Sequence, residues 1–181
     1  MASNTLTHLV KPNIQSYSSD CGSPQTLVEY ANIQTKMYCE IYPFSSRKAR
    51  GQVFTPPQVA SFMAGLFTSE QQSLRILDPA AGTGILVAAI CDWIIQNKRK
   101  NLEISLHVYE NDHNVLPFLQ STLDVCRDAL NNQNCLLDYQ IFDQDFILHH
   151  AKVETYDKRV IYSLDLTTRY DLIISNPPYY K

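Results

Sequence analysis

The stretch Leu74-Arg75-Ile76-Leu77-Asp78-Pro79-Ala80-Ala81-Gly82-Thr83-Gly84 runs from a short apolar strand into a glycine-bearing turn, and the nearly all-apolar residues 85–95 after it predict a helix. A strand, a tight turn and a helix form the opening unit of a parallel sheet. Outward from this unit the alternation continues. Residues 104–109 read as a second strand ending in Glu110-Asn111-Asp112, and 113–130 as a helix broken by Asn131-Asn132. Residues 136–142 make a third strand ending at Asp143-Gln144-Asp145-Phe146, and 170–175 a final strand ending at Asn176. Between them, 153–159 and 160–166 read as a small hairpin.

Upstream, Leu27, Tyr30, Ala31, Ile33, Tyr38 and Ile41 recur at roughly helical spacing, with Ser23 placed to cap that helix and Pro24 at its first position. Thr55 as N-cap with Pro56 at the first helical position starts another helix within 52–68. Lys98-Arg99-Lys100-Asn101 close the helix after the glycine turn with cations suited to its negative end. The predicted fold is α/β, a mostly parallel sheet with helices on both faces, preceded by an N-terminal helical segment. Residues 1–45 are read as a polar lead and helix, and 46–181 as the main domain.

The composition sets limits. A chain of 181 residues with 45% hydrophobic and 18% charged residues suits one soluble domain with a sizeable core. No run approaches ~20 apolar residues, so no membrane span is expected. The first residues lack a charged start and an apolar signal core, which makes a cytosolic address the default. The five cysteines are odd in number and widely spaced, without a Cys-x-x-Cys, and His149-His150 has no partner at ligand spacing. Buried reduced thiols are expected, and neither a disulfide framework nor a metal site. The net charge of −3 argues against a self-sufficient DNA-binding surface, because phosphate neutralisation supplies much of such affinity. The basic run Ser45-Ser46-Arg47-Lys48-Ala49-Arg50-Gly51 reads as a solvated loop.

Ligands of parallel sheets bind beyond the carboxyl ends of the strands. Gly82 and Gly84 stand there, where glycine lets the turn tighten and a ligand approach the backbone. The pattern is neither G-x-G-x-x-G nor a P-loop. Asp78, just ahead of the turn, would repel a pyrophosphate and attract a cation such as an amino group or a sulfonium. Glu110, at the next strand end, suits the two hydroxyls of a ribose. Asp145 suits an adenine amine, with Phe146 against the ring. Each of these acids is also an ordinary turn or cap residue. Their value lies in their matching positions.

Asn176-Pro177-Pro178-Tyr179 is the second signal. The prolines remove two backbone donors and leave carbonyls that only accept. The Asn176 side-chain oxygen and the Pro177 carbonyl can therefore both accept from one exocyclic NH2. Two acceptors favour a pyramidal nitrogen and free its lone pair toward an electrophilic methyl. Tyr179 offers a ring for a base swung out of a duplex, a stack worth ~1–3 kcal/mol.

With these motifs in place, the chain resembles the amino-methyltransferases of restriction–modification systems, of the gamma N6-adenine DNA class. Asp78 to Gly84 resembles that family's cofactor motif, Asn176 to Tyr179 its catalytic motif, and Gln52-Val53-Phe54-Thr55-Pro56-Pro57 its further cofactor segment. The resemblance implies a Rossmann-like S-adenosylmethionine-dependent fold, with 46–181 as the cofactor-binding catalytic domain. It places Thr55 by the methionine part, Glu110 on the ribose, and Asp145 with Phe146 on the adenine. Ala80, Gly82 and Gly84 of the turn, and Asn111 beside Glu110, are counted with these contacts. It further implies a bacterial or phage source, double-stranded DNA as partner through a target-recognition domain, and a restriction endonuclease domain or subunit of the IIG/IIS kind.

Methylation of a protein glutamine amide or of an RNA amine uses the same Asn-Pro-Pro-Tyr chemistry, and a cofactor-binding module without activity is a third reading. The segment 52–57 favours the DNA enzymes by resemblance. The family continues past the catalytic motif, whereas this sequence stops at Lys181, so the chain is read as a fragment. The expected outcome is that it binds S-adenosylmethionine weakly at best and alone transfers no methyl group to DNA. Counting label carried from methyl-tritiated cofactor into duplex DNA measures this directly.

Overall fold

In chain order the elements are α1 (Leu27–Ile41), α2 (Pro57–Gly65), β1 (Ser73–Asp78), α3 (Ile85–Gln96), β2 (Glu103–Tyr109), α4 (Leu116–Asn131), β3 (Leu136–Phe142), α5 (Phe146–His150), β4 (Ala151–Tyr156), β5 (Arg159–Leu164) and β6 (Leu172–Ile173). The computed structural model describes residues 24–44, 52–156, 159–164 and 169–177, with 151–164 described by backbone alone. The lead 1–23 with its expected cap Ser23, the basic run 45–51, and Pro178 and Tyr179 lie outside the described residues.

The main sheet has the order β3-β2-β1-β6 and every pairing in it is parallel. The steps from β1 to β2 and from β2 to β3 each join parallel neighbours through a helix, and the general right-handed rule for such crossovers carries α3 and α4 to the same face. The chain then returns to the far side of β1 to lay down β6. The strand order thus reverses at β1, and the crevice beyond the carboxyl ends of β1 and β6 is the switch point. β4 and β5 pair antiparallel as a separate two-stranded sheet, as expected, spanning 151–156 and 159–164 rather than 153–159 and 160–166.

Strand alternation assigns the faces. Leu74, Ile76, Ile104, Leu106, Val108 and Leu137 are buried and face the helices. α3 is wrapped by the sheet, α1, α2 and α4, which explains its nearly unbroken apolar sequence. Leu27, Val28 and Ala31 of α1 join the same core. The opposite face carries exposed Arg75, Ser105, Asp138 and Gln140 toward the amino ends of the strands. Toward the carboxyl ends it turns aromatic: Tyr109 stacks on Phe142 at 4.5 Å, and Phe146 of α5 meets Tyr109 edge-on at 5.0 Å. α5 therefore supplies the helix on the second face. Among the described residues no helix is long and apolar enough to cross a membrane.

Four local expectations are corrected. α1 is capped by Thr26, not Ser23: Thr26 is extended and its Oγ1 accepts from Glu29 N at 3.1 Å. The next two orphan donors, Leu27 N and Val28 N, go to the Asp92 carboxylate of α3 at 3.0 and 2.9 Å. α2 is preceded by Pro56, not Thr55, as its N-cap. A residue before proline avoids the helical region, so Pro57 holds Pro56 extended at φ −62°, ψ 146°. α4 starts at Leu116 rather than 113, because Pro117 has no N–H to bond back four residues. α3 ends by backbone geometry rather than by cations in its last turn: Lys98 takes φ 51°, with Lys98 N on Ile95 O at 3.0 Å and Arg99 N on Ile94 O at 3.2 Å. The Arg99 guanidinium instead donates to the carbonyls of Ser69 and Gln71.

Gly84, with φ +86°, starts α3, and a Cβ there would lie 3.0 Å from Leu119 Cδ1 and 3.2 Å from Thr122 Cγ2. Gly84→Ala combines left-handed strain with a clash against α4, and a loss of about 2–4 kcal/mol is expected. Urea denaturation followed by circular dichroism reads it; an unchanged midpoint would count against this account of the turn.

Candidate functional site

At the switch point a cleft of about 490 Å³ is lined by Phe54, Ala80, Gly82, Glu110, Asn111, Asp145, Phe146, Ser175, Asn176 and Pro177, among others. A shallower hollow of about 380 Å³ near Leu66 and Asp171 lies at the other ends of the strands and holds none of the motif residues. Parallel sheets bind ligands at the carboxyl ends, so the first is the candidate site.

The floor is the glycine turn. Gly82 has φ +54°, and a Cβ there would sit 3.4 Å from the Phe54 ring. With glycine, Phe54 lies against the backbone and Gly82 N donates to Glu110 Oε2 at 2.9 Å. The other Glu110 oxygen, Oε1, accepts from Asp112 N at 2.8 Å. One carboxylate thus ties the turn after β1 to the turn after β2. Asn111 N–H adds a weaker backbone donor, and a carboxylate with about four acceptor sites still has capacity for a ligand hydroxyl. Burial raises the Glu110 pKa, against the lowering effect of these backbone donors.

Asp78 is fully buried. Its Oδ1 accepts from Ala80 N at 3.2 Å, while Oδ2 finds no hydrogen-bond partner among the described residues. Burial, assisted by the neighbouring Glu110 charge, pushes its pKa up to about 7. A buried carboxylate with an orphan oxygen costs free energy until a donor or a cation meets it.

Of the expected residues, Ala80, Gly82, Glu110, Asn111, Asp145, Phe146, Asn176 and Pro177 line one cleft, whereas Asp78 and Gly84 are buried outside its lining. Asp145 lines it and also caps α5, accepting from Leu148 N at 2.9 Å, so the cap reading and the ligand reading apply to the same side chain. Asn111 is exposed at the rim. Thr55 is not in the lining: it is buried, and its Oγ1 accepts from Asn176 Nδ2 at 3.0 Å. Asn176 lines the cleft, and with Nδ2 bonded to Thr55 its Oδ1 is the amide atom left to accept.

Sequence reasoning missed a second set. Tyr38 of α1 is fully buried, with its hydroxyl 2.8 Å from Asp112 Oδ2 and 2.9 Å from Gln52 Oε1. Gln52 Nε2 donates to the same Asp112 oxygen at 3.1 Å. Tyr38 read only as an apolar helix position; its hydroxyl was the available sign that a polar partner was needed. Thr35 and Thr83 hydroxyls meet at 2.5 Å, a further tie between α1 and the glycine turn. Among the described residues no three His, Cys, Asp or Glu side chains are placed to hold a metal ion.

A family profile described as N-6 DNA methylase matches residues 37–181. The chain belongs to that family. Its relatives include the type II methyltransferase M.BsuBI of Bacillus subtilis, 32% identical over 132 residues, which are 72% of this chain and 25% of that protein. M.PstI of Providencia stuartii is 31% identical over 135 residues, 75% of this chain and again 25% of the relative. The chain therefore spans about a quarter of the length of these curated relatives. A class I S-adenosylmethionine-dependent methyltransferase from Listeria monocytogenes superposes with a TM-score of 0.51 at 14% identity, covering 86% of this chain and 41% of that one. That likeness establishes the Rossmann-like methyltransferase fold. Both type II relatives carry the match within a longer protein, and the family match takes in the last third of α1.

The Asp78 carboxyl makes a test on the protein without ligand. Its folded pKa lies above its ordinary value of 3.8, so between pH 4 and 7 the unfolded chain releases a proton that the folded chain keeps. Wild-type stability falls with rising pH across that window on this account and levels above it. Asp78→Asn removes the contribution, so the variant gains on wild type as pH rises from 4 to 7. At about 1.4 kcal/mol per tenfold change in proton affinity, the gain is limited to roughly 4 kcal/mol. Denaturation midpoints of both proteins at pH 4, 6 and 8 give the difference; a constant offset would refute the assignment.

Proposed function

We propose that this chain forms the cofactor-binding and amine-activating part of a DNA methyltransferase that acts on adenine N6 within a restriction–modification system. The observation that carries the proposal is Asn176, three residues past the carboxyl end of β6, lining the same cleft as Gly82, Glu110 and Asp145. Membership of the N-6 DNA methylase family supports the substrate, and the type II relatives support the biological setting.

The residues fit S-adenosylmethionine. The orphan Asp78 Oδ2 calls for a cationic or donor group, Glu110 has acceptor capacity spare for a hydroxyl, and Phe146 with Asp145 offers a ring edge and an acceptor for a purine. The bound cofactor supplies an electrophilic methyl on a sulfonium. In this reading Asp78 holds the amino end, Glu110 the ribose, Asp145 and Phe146 the adenine, with Ala80, Gly82 and Gly84 shaping the backbone cradle and Asn111 at the rim. Asn176 Oδ1 and the Pro177 carbonyl accept from the two hydrogens of the target N6. Those two acceptors would leave the nitrogen lone pair facing the methyl that the cofactor would supply, the carbon–sulfur bond breaking to a neutral thioether as the carbon–nitrogen bond forms and the surplus N6 proton passing to solvent. Tyr179 is assigned the ring beneath the flipped base. Duplex DNA is the substrate in this reading, to which a chain of net charge −3 offers little phosphate neutralisation, and a restriction endonuclease domain or subunit is the expected partner.

Asn176→Ala in the full-length enzyme removes one of two acceptors. Transfer is expected to fall by about 10²–10³-fold, the scale for losing one preorganised polar contact to a developing charge, with cofactor affinity kept within a few-fold. The assay pairs labelled methyl transfer to adenine-containing duplex DNA with calorimetric titration of the cofactor. Label arriving in a glutamine peptide or an RNA, and not in DNA, would overturn the substrate assignment.

A further inference from the structure

Thr55 and Asn176 are 121 residues apart in the chain, yet Asn176 Nδ2 donates to Thr55 Oγ1 at 3.0 Å. The two ends of a carboxamide are nearly the same shape and opposite in chemistry. A substrate amine brings two N–H donors. Only the amide turned with Oδ1 toward the amine can accept from it, and that orientation leaves Nδ2 needing an acceptor on the other side. Thr55 is that acceptor. We propose that Thr55 is the positioning residue of Asn176, holding the amide with its oxygen toward the transferring site. This deepens the amine-methylating reading above and rests on it.

The support of Thr55 is unusually well determined. Pro56 and Pro57 follow it directly, so the backbone beyond it has two fixed φ angles and no N–H to compete for the hydroxyl. The hydroxyl is excused from capping α2, because Pro56 occupies that position. Thr55 is β-branched and buried, which restricts its χ1 and keeps Oγ1 aimed in one direction. Three residues earlier, Gln52 is tied to Asp112 Oδ2 and to the Tyr38 hydroxyl. Between these ends Phe54 packs edge-on to Tyr38 at 5.4 Å and lies against Gly82. Residues 52–55 therefore form a strap across the glycine turn. One end is tied to the turn that holds Glu110 and the other to the amide of Asn176. The strap sets the distance between the cofactor-holding and amine-holding sides of the cleft.

The test uses the full-length enzyme with Thr55→Val, which keeps shape and removes the acceptor, and Thr55→Ser, which restores it. Single-turnover methyl transfer at saturating cofactor is expected to slow about 10- to 100-fold in T55V and to return to within about fivefold of wild type in T55S, smaller than loss of the Asn176 acceptor itself. Cofactor Kd is expected to stay within about threefold in both. In the NMR spectrum, the Asn176 side-chain NH2 pair should move and exchange faster with solvent in T55V but not in T55S. A wild-type transfer rate in T55V, or a defect confined to cofactor affinity, would overturn the proposal. Should T55V prove too unstable to assay, T55C carries a weak acceptor and should fall between T55S and N176A; a rate at or above wild type again overturns it. Rates are read on whichever amine the enzyme accepts, so the identity of the substrate tests the function and the ratio among variants tests Thr55.

Discussion

The Glu110 carboxylate accepts from Gly82 through one oxygen and from Asp112 through the other, so one half-buried acid holds the turns after β1 and β2 in register. The geometry of the cleft follows from that tie. Gly82 can point its N–H at Glu110 only because it takes a positive φ, and Phe54 can lie on it only because no Cβ intervenes. Asp78 stands close enough to feel the Glu110 charge, and burial pushes both acids toward their neutral forms. Two acids crowded at adjacent strand ends are a poor arrangement for stability and a good one for a ligand that brings hydroxyl donors and a positive charge. Such a ligand would relieve the electrostatic cost at the point where it binds, which links affinity to the instability of the empty cleft.

The N-terminal helix is part of this construction rather than an accessory. Its first turn is anchored on Asp92, whose own pKa is raised because burial outweighs the two backbone donors it receives. Its middle meets the glycine turn through Thr35 and Thr83, and its last turns place Tyr38 against Asp112 and Gln52. α1 thus braces all three segments that line the cleft on this side. Its apolar stripe against α3 and α4 supplies the burial energy, and its polar positions supply direction. A helix serving only to cover the core would have no need of Thr35 or of the Tyr38 hydroxyl.

Much of the sheet was legible in the sequence because its signals are local. An apolar run into a glycine turn, a second strand ending at Glu110 and a third spanning 136–142 follow from periodicity and turn chemistry, and the structure has them. Local rules failed where two of them competed. At Thr55-Pro56-Pro57 the capping preference of threonine lost to the restriction that Pro57 places on Pro56. At 113–117 helical periodicity lost to the missing N–H of Pro117. At 98–101 the basic residues suggested electrostatic termination, but the left-handed turn at Lys98 satisfied the carbonyls first and sent Arg99 to the loop before β1. The site was legible as a set of strand-end residues. Its long-range ties, Tyr38 to Asp112 and Asn176 to Thr55, were not, since no local pattern encodes a contact across 74 or 121 residues.

Asp145 shows why the ordinary reading of a polar residue and its functional reading need not exclude each other. A carboxylate at the start of a short helix is commonly a cap, and Asp145 is one, with Oδ1 on Leu148 N. That bond uses one direction of one oxygen and stops the side chain from turning. The rest of the carboxylate is then held against the cleft, beside Phe146, whose ring is itself fixed edge-on to Tyr109. A free aspartate would have to give up rotamer freedom to meet a purine; a capping aspartate has given it up already. Glu110 and Asn176 follow the same logic, each spending part of its hydrogen-bonding capacity on the protein so that the remainder faces the cleft in one orientation.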